Sequence, residues 1–267
     1  MDCIEFEGCT IRDKCPVYIH DLLIGYFIKI TVNEVEEHNK CFDNVYIINV
    51  IESQEKRNKI IKELKKINIK EITFLCVRLF KTIGDLKDAE FREKLKDYVT
   101  FENKIYEKVV YGDIGCTLSF LLCMRDALHN KYNTVFFVED DLCFYNDKNL
   151  DIVINEINNF ISSEDFDLLL LHTEMRAIKK INKYKTYSCI FSLHSPNFMS
   201  HDLIMNKLLI EYFGNYVFNV TSCNQGTDDL LMQMVNHKKY FSVFPSITYQ
   251  CGMSETHGKF VIRNTNG

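Results

Sequence analysis

Three adjacent carboxylates, Glu139, Asp140 and Asp141, follow the apolar run Thr-Val-Phe-Phe-Val. A short run of this composition is typical of a buried strand. Like charges this close repel one another, so the triplet needs either full hydration or a cation. The first alternative is a polar strand end leading into a solvated turn. The second is a site for Mg²⁺ or Mn²⁺, hard cations that prefer oxygen ligands.

The position of this acidic triplet favours the cation. A strand as apolar as residues 134–138 is covered on both faces, and its carboxyl end then opens into the ligand crevice of an α/β sheet. Glu139 and Asp141 are two residues apart and point nominally to the same side of the strand. An irregular turn would place the Asp140 carboxylate beside the other two, so that it could also contact the cation.

The elements around the triplet alternate between strands and helices. Residues 44–50 and 71–77 are short β-branched runs, and the segment between them has apolar residues at helical spacing. This predicts a βαβ unit and therefore a parallel sheet. Further along, the patterns predict helices at 113–130, 149–161 and 200–213, the last capped by Ser200, and strands at 166–172, 187–195 and 240–250. The predicted class is an α/β sandwich.

Residues 1–40 precede this alternation and end in the polar stretch "NEVEEHNK". They are interpreted as an accessory segment outside the catalytic sheet, with a catalytic domain at 41–267. Nucleotide binding is accordingly expected to survive removal of residues 1–38.

The composition excludes some classes of protein. The 267 residues are 46% hydrophobic and carry a net charge of −5, which argues against disorder and against a nucleic-acid binder with a basic face. Eleven cysteines, an odd number, are scattered along the chain, several of them in apolar runs. The longest apolar stretch, residues 17–32, contains charged residues, and no signal sequence or membrane span is recognised. A reducing, cytoplasmic location is expected.

Four pieces of the chain, in order, resemble glycosyltransferase family 25. They are "VYIINV" with the later Arg57, "GDIGCTLS", "FFVEDDL" and "FPSITYQ". The family includes lipooligosaccharide and collagen galactosyltransferases, and the resemblance covers about residues 44–254. It implies a GT-A-type fold, a mixed Rossmann-like sheet flanked by helices. The chain departs from the family pattern at Phe120, where the family has His, and around Val50 and Glu52-Ser53.

The resemblance also implies a reaction and a set of site residues. A sugar, galactose or glucose, would pass from a UDP-sugar to a hydroxyl group of a glycan or protein, with inversion and with Mn²⁺ or Mg²⁺ on the diphosphate. Glu139 and Asp141 would hold the ion, and Asp140 would face the ribose or the donor sugar. A C-terminal histidine, His257, is a candidate third ligand; the alternative is a solvated side chain.

Five further residues, two of them adjacent aspartates, have two interpretations each. Asn49 either binds the nucleotide or ends its strand by bonding its own backbone. Arg57 contacts the base or diphosphate, or is solvated. Ser119 binds substrate, or bonds a carbonyl one turn back in its helix. Asp229, or its neighbour Asp228, is the general base, or both only favour a helix N-terminus.

The sequence is also compatible with two other functions. One is a Mg²⁺-dependent phosphohydrolase that uses the acidic triplet on another α/β sheet. The other is an inactive nucleotide-binding scaffold on the same fold, for which the Phe120 departure is the argument.

Overall fold

A computed structural model describes residues 4–19, 23–36, 41–77, 107–146, 148–172, 181–193, 202–216, 227, 230–231 and 239–251. The strands are β1 (Cys9–Ile19), β2 (Leu23–Val32), β3 (Asn44–Val50), β4 (Glu71–Val77), β5 (Thr134–Glu139), β6 (Leu142–Phe144), β7 (Leu168–Leu170), β8 (Ile181–Lys183), β9 (Ile190–Leu193), β10 (Asp202–Asn206), β11 (Tyr240–Val243) and β12 (Thr248–Gln250). The helices are α1 (Gln54–Lys65), α2 (Glu107–His129), α3 (Leu150–Ser163) and α4 (Lys207–Gly214).

Ten strands form one mixed sheet in the order β1-β2-β4-β3-β5-β10-β7-β11-β9-β8. Strands β4, β3 and β5 are parallel, as are β7 and β11, whereas β10 runs antiparallel between β5 and β7. The two remaining strands, β6 and β12, form a separate antiparallel pair, here called the ribbon. The predicted α/β class and the parallel pairing of β3 with β4 are confirmed.

Each face of the sheet is covered by helices whose apolar sides complete a core. Ile60 and Leu64 of α1 and Phe160 of α3 belong to one buried cluster, and Met124 of α2 and Phe213 of α4 belong to the other. Strands β3, β4 and β5 contribute side chains to both clusters, which explains why their sequences are apolar almost throughout. The candidate site lies at the carboxyl ends of these central strands.

The helix predicted over residues 200–213 is wrong in its first half. Asp202–Asn206 form β10, and the helix begins only at Lys207, where the Asn206 side chain accepts a hydrogen bond from the Leu208 amide at 3.0 Å. Leu, Ile and Met suit both element types, and the decision comes from pairing, since β10 bonds to strands on both sides. The proposed cap, Ser200, lies outside the described residues.

The expectation that residues 1–40 lie outside the sheet is also wrong for their described part. Strand β2 pairs antiparallel with β4, and β1 pairs with β2. Ile28, Ile30 and Val32 are fully buried in the same cluster as α1. Strands β1 and β2 therefore extend the sheet as an antiparallel pair. In the part of the chain that the structure describes, no helix is long and apolar enough to cross a membrane.

Candidate active site at the carboxyl ends of the central strands

The acidic triplet lies where β3 and β5 end side by side. Glu139 is the last residue of β5 and is in register with Ile48 of β3. Asp140 and Asp141 form the turn into β6. The prediction that the triplet stands at the carboxyl end of a central strand is confirmed.

Three of the residues singled out from the sequence are in direct contact. The Asn49 side-chain amide donates to Asp140 Oδ2 at 2.6 Å, and Arg57 Nη1 donates to Asn49 Oδ1 at 2.7 Å. All three side chains are buried, with Asp140 the most exposed at 8%. Asn49 therefore bridges a cation and an anion that come from different elements.

Arg57 also builds the turn between β3 and α1. Its Nη1 donates to the carbonyls of Val50 at 3.2 Å and Ile51 at 2.7 Å, and its Nη2 donates to Gln54 Oε1 at 2.6 Å. Burial lowers the pKa of the guanidinium from its usual range. Its Nε is buried and has no hydrogen-bond partner among the described residues. Contact of Arg57 with substrate stays a prediction.

Two lysines at this site were missed by the sequence analysis. Lys56 Nζ lies 3.4 Å from Asp140 Oδ1, and the charge of Lys59 acts on Asp141. Both belong to α1, the helix that follows β3 at the same end of the sheet as the triplet. The predicted βαβ unit already places the start of this helix beside the carboxyl end of β3. That placement is the sequence signal that points to Lys56 as a residue of the site.

Asp141 carries the clearest electrostatic anomaly of the site. Burial and, second, the charge of Asp140 raise its pKa to about 6, against an opposing effect of Lys56. Its Oδ1 atom is buried without a hydrogen-bond partner among the described residues. A bound cation would relieve both features, because it would supply a partner for the oxygen and offset the repulsion.

Glu139 is held from two directions. The Cys116 thiol donates to its Oε1 at 3.6 Å, and the Gln250 side-chain amide donates to its Oε2 at 3.2 Å. The described ranges contain no group of three or more His, Cys, Asp or Glu arranged to hold a metal ion. The metal-ligand roles of Glu139 and Asp141 stay predictions, and His257 lies outside the described residues.

Comparison of the sequence with models of known protein families identifies the family of this chain. The model described as glycosyltransferase family 25 (LPS biosynthesis protein) matches residues 42–235. The chain belongs to glycosyltransferase family 25. The resemblance inferred from the four sequence pieces is thereby confirmed.

Solved structures and curated proteins add little to the family assignment. A crystal structure of A197 from STIV is similar over 80% of this chain and 86% of that chain, with 10% identity and a TM-score of 0.36. A likeness at this level carries no argument about the site. No curated protein matches the chain.

The remaining candidate residues lie within the family match. Ser119 Oγ donates to the carbonyl of Gly115 at 2.7 Å, which is the backbone alternative considered above, and its substrate role stays a prediction. Phe120, which replaces the histidine of the glycosyltransferase family, is fully buried against Phe137 and Phe213. The candidate bases Asp228 and Asp229 lie outside the described residues.

Strand β12 of the ribbon reaches the candidate site from beyond the family match, which ends at residue 235. The Cys251 amide donates to the Asp141 carbonyl at 2.8 Å, and a disulfide joins Cys251 to Cys143 of β6. The expectation of reduced cysteines fails for this pair. Among the described cysteines of apolar runs, the structure forms no disulfide at Cys76, Cys116, Cys123 or Cys189.

Proposed function

We propose that this family 25 glycosyltransferase moves a sugar from a UDP-sugar, with galactose or glucose as the donor sugar, to a hydroxyl group of a glycan or protein. The reaction proceeds with inversion and depends on Mn²⁺ or Mg²⁺. The observation that carries the proposal is the buried Oδ1 of Asp141, beside Asp140 at the carboxyl ends of β3 and β5, which has no hydrogen-bond partner among the described residues. A mixed α/β sheet whose candidate site lies at the carboxyl ends of its strands also supports a GT-A-type architecture.

The residues of the site have distinct roles in this proposal. Asp141 and Glu139 would hold the cation, which supplies positive charge to the diphosphate as the glycosidic bond breaks. Arg57 and Asn49 keep Asp140 oriented through their hydrogen bonds, so that this carboxylate is fixed before the donor arrives. Lys56, at the same end of the sheet, adds a positive charge that suits phosphate oxygens.

The acceptor side of the reaction needs a general base. In an inverting transfer, one carboxylate takes the proton of the acceptor hydroxyl on the face of the sugar opposite the leaving diphosphate. Asp229, or failing that Asp228, is the candidate that the sequence offers, and His257 is the candidate third ligand of the cation.

The substitution Asp141→Asn tests the metal assignment. Wild-type protein should bind UDP in calorimetry only when Mn²⁺ is present. The variant should bind UDP at least about 100-fold more weakly under the same conditions, since even supporting residues around a metal account for about 10–100-fold in affinity.

Asp13→Asn, on the exposed part of β1, is the matched control and should bind like the wild type. Unchanged Mn²⁺-dependent affinity in Asp141→Asn would refute the metal assignment. Hydrolysis of a phosphate ester without any acceptor, together with no affinity for an intact UDP-sugar, would instead identify a phosphohydrolase. UDP binding without transfer to any acceptor would identify a scaffold.

A further inference from the structure

Strand β12 lies directly beside the acidic triplet and contacts it at two points. The Gln250 side-chain amide donates to Glu139 Oε2 at 3.2 Å. The next residue, Cys251, donates its backbone N–H to the Asp141 carbonyl at 2.8 Å. One short strand thus contacts both residues of the proposed ligand pair.

The other end of β12 is attached to the main sheet by a buried polar chain. The Thr248 hydroxyl donates to Asp202 Oδ2, and the second oxygen of that carboxylate lies 2.5 Å from His172 Nδ1. Asp202 is completely buried, and its two neighbours are nearly so. Burying a carboxylate is costly unless it is hydrogen-bonded, so the hydrogen bonds of Asp202 stabilise the fold. They therefore hold Thr248 firmly against β10.

We infer that Gln250 is a positioning residue for Glu139, and that the Thr248–Asp202–His172 chain anchors the strand that carries it. The inference rests on the proposed metal-dependent function. An amide is a neutral donor, so it orients the carboxylate without competing with a cation for its charge. It donates to one oxygen of the Glu139 carboxylate, Oε2.

Positioning of Glu139 by Gln250 strengthens cation binding because it reduces the conformational entropy that is lost when the cation binds. A glutamate side chain has several rotatable bonds, and fixing them costs conformational entropy when the side chain is otherwise free. The contact with Gln250 fixes them before the cation binds. Partners of this kind around metal ligands typically account for about 10–100-fold in metal affinity.

The variant Gln250→Met keeps the length of the side chain and removes the donor. The Mn²⁺ concentration that gives half-maximal UDP binding should rise about 10–100-fold. The melting temperature should change little, because Gln250 is only half-buried. Tyr249→Phe, on the same strand, keeps the ring that packs on Tyr145 and should behave like the wild type.

A double-mutant cycle separates positioning from a general structural effect. If Gln250 acts through Glu139, Gln250→Met should add little to the loss already caused by Glu139→Gln. Losses that multiply in the double variant would overturn the inference, as would wild-type Mn²⁺ dependence in Gln250→Met. If the wild type itself shows no Mn²⁺-dependent UDP binding, the proposed function fails and the inference fails with it.

Discussion

At the scale of single residues, Asp141 is expected to destabilise the folded protein at neutral pH. Its pKa is about 6 in the folded state, against an ordinary value of 3.8. Well below pH 4 the carboxyl is protonated in both the folded and the unfolded state and does not affect stability. As the pH rises from about 4 to 6, the unfolded state releases this proton while the folded state still holds it, so stability is lost, and the loss is complete above pH 6.

The substitution Asp141→Asn should remove this cost. In the presence of EDTA at pH 7.5, the free energy of unfolding of the variant should exceed that of the wild type by about 1–3 kcal/mol, measured by urea denaturation. The difference should shrink as the pH falls below about 6 and disappear near about pH 3. A variant that is less stable than the wild type at pH 7.5 would show that hydrogen bonds to the carboxylate outweigh its desolvation.

At the scale of elements, the connection between β3 and α1 depends on the planar fork of Arg57. Four acceptors from this connection surround its two terminal nitrogens. A lysine keeps the charge but offers a single nitrogen with a different geometry. Arg57→Lys should therefore lower the free energy of unfolding by about 2–4 kcal/mol, because buried acceptors lose their donors.

Arg12→Lys is a matched control for this substitution. Arg12 is an exposed residue of β1 that pairs with Glu71, and an exposed ion pair contributes about 0–1 kcal/mol. Both variants can be compared in the same urea titration. Equal stability of Arg57→Lys and the wild type would mean that the connection between β3 and α1 does not depend on the two terminal nitrogens of the guanidinium.

At the scale of the whole molecule, the folding unit extends beyond the family match. The match begins at residue 42, whereas β1 and β2 belong to the same sheet and the Phe6 ring packs on Phe74 of β4. The first residues also reach the candidate site, since the Arg57 guanidinium lies over the Phe6 ring at 6.0 Å and Gln54 donates to the Glu5 carbonyl at 2.8 Å.

Removal of residues 1–38 should therefore abolish cooperative folding, which reverses the expectation drawn from the sequence. The truncation exposes one edge of β4 and uncovers apolar side chains of α1, each worth about 1.5–3 kcal/mol when buried. The total is large against the 5–15 kcal/mol that separates folded from unfolded domains. Circular dichroism during heating would measure this, and a cooperative transition with retained UDP binding in the fragment would contradict it.

The sequence by itself determined the elements with a strong local pattern. The strands β3, β4 and β5 and the helix α1 were predictable because their apolar spacing reflects which faces each must bury. The place of the acidic triplet followed from the same reasoning, since parallel strands align their carboxyl ends. The family resemblance added Asn49, which donates to Asp140 of the triplet, and Arg57, which donates to Asn49.

Only the tertiary structure decided the pairings between distant segments. Asn49 meets Asp140 across 91 residues, and Gln250 meets Glu139 across 111. Strand β10 replaced half of a predicted helix because pairing with β5 and β7 overrode the weak local preference of Leu, Ile and Met. Local sequence encodes which face of an element is buried, but the partner that buries it is chosen by the packing of the whole chain.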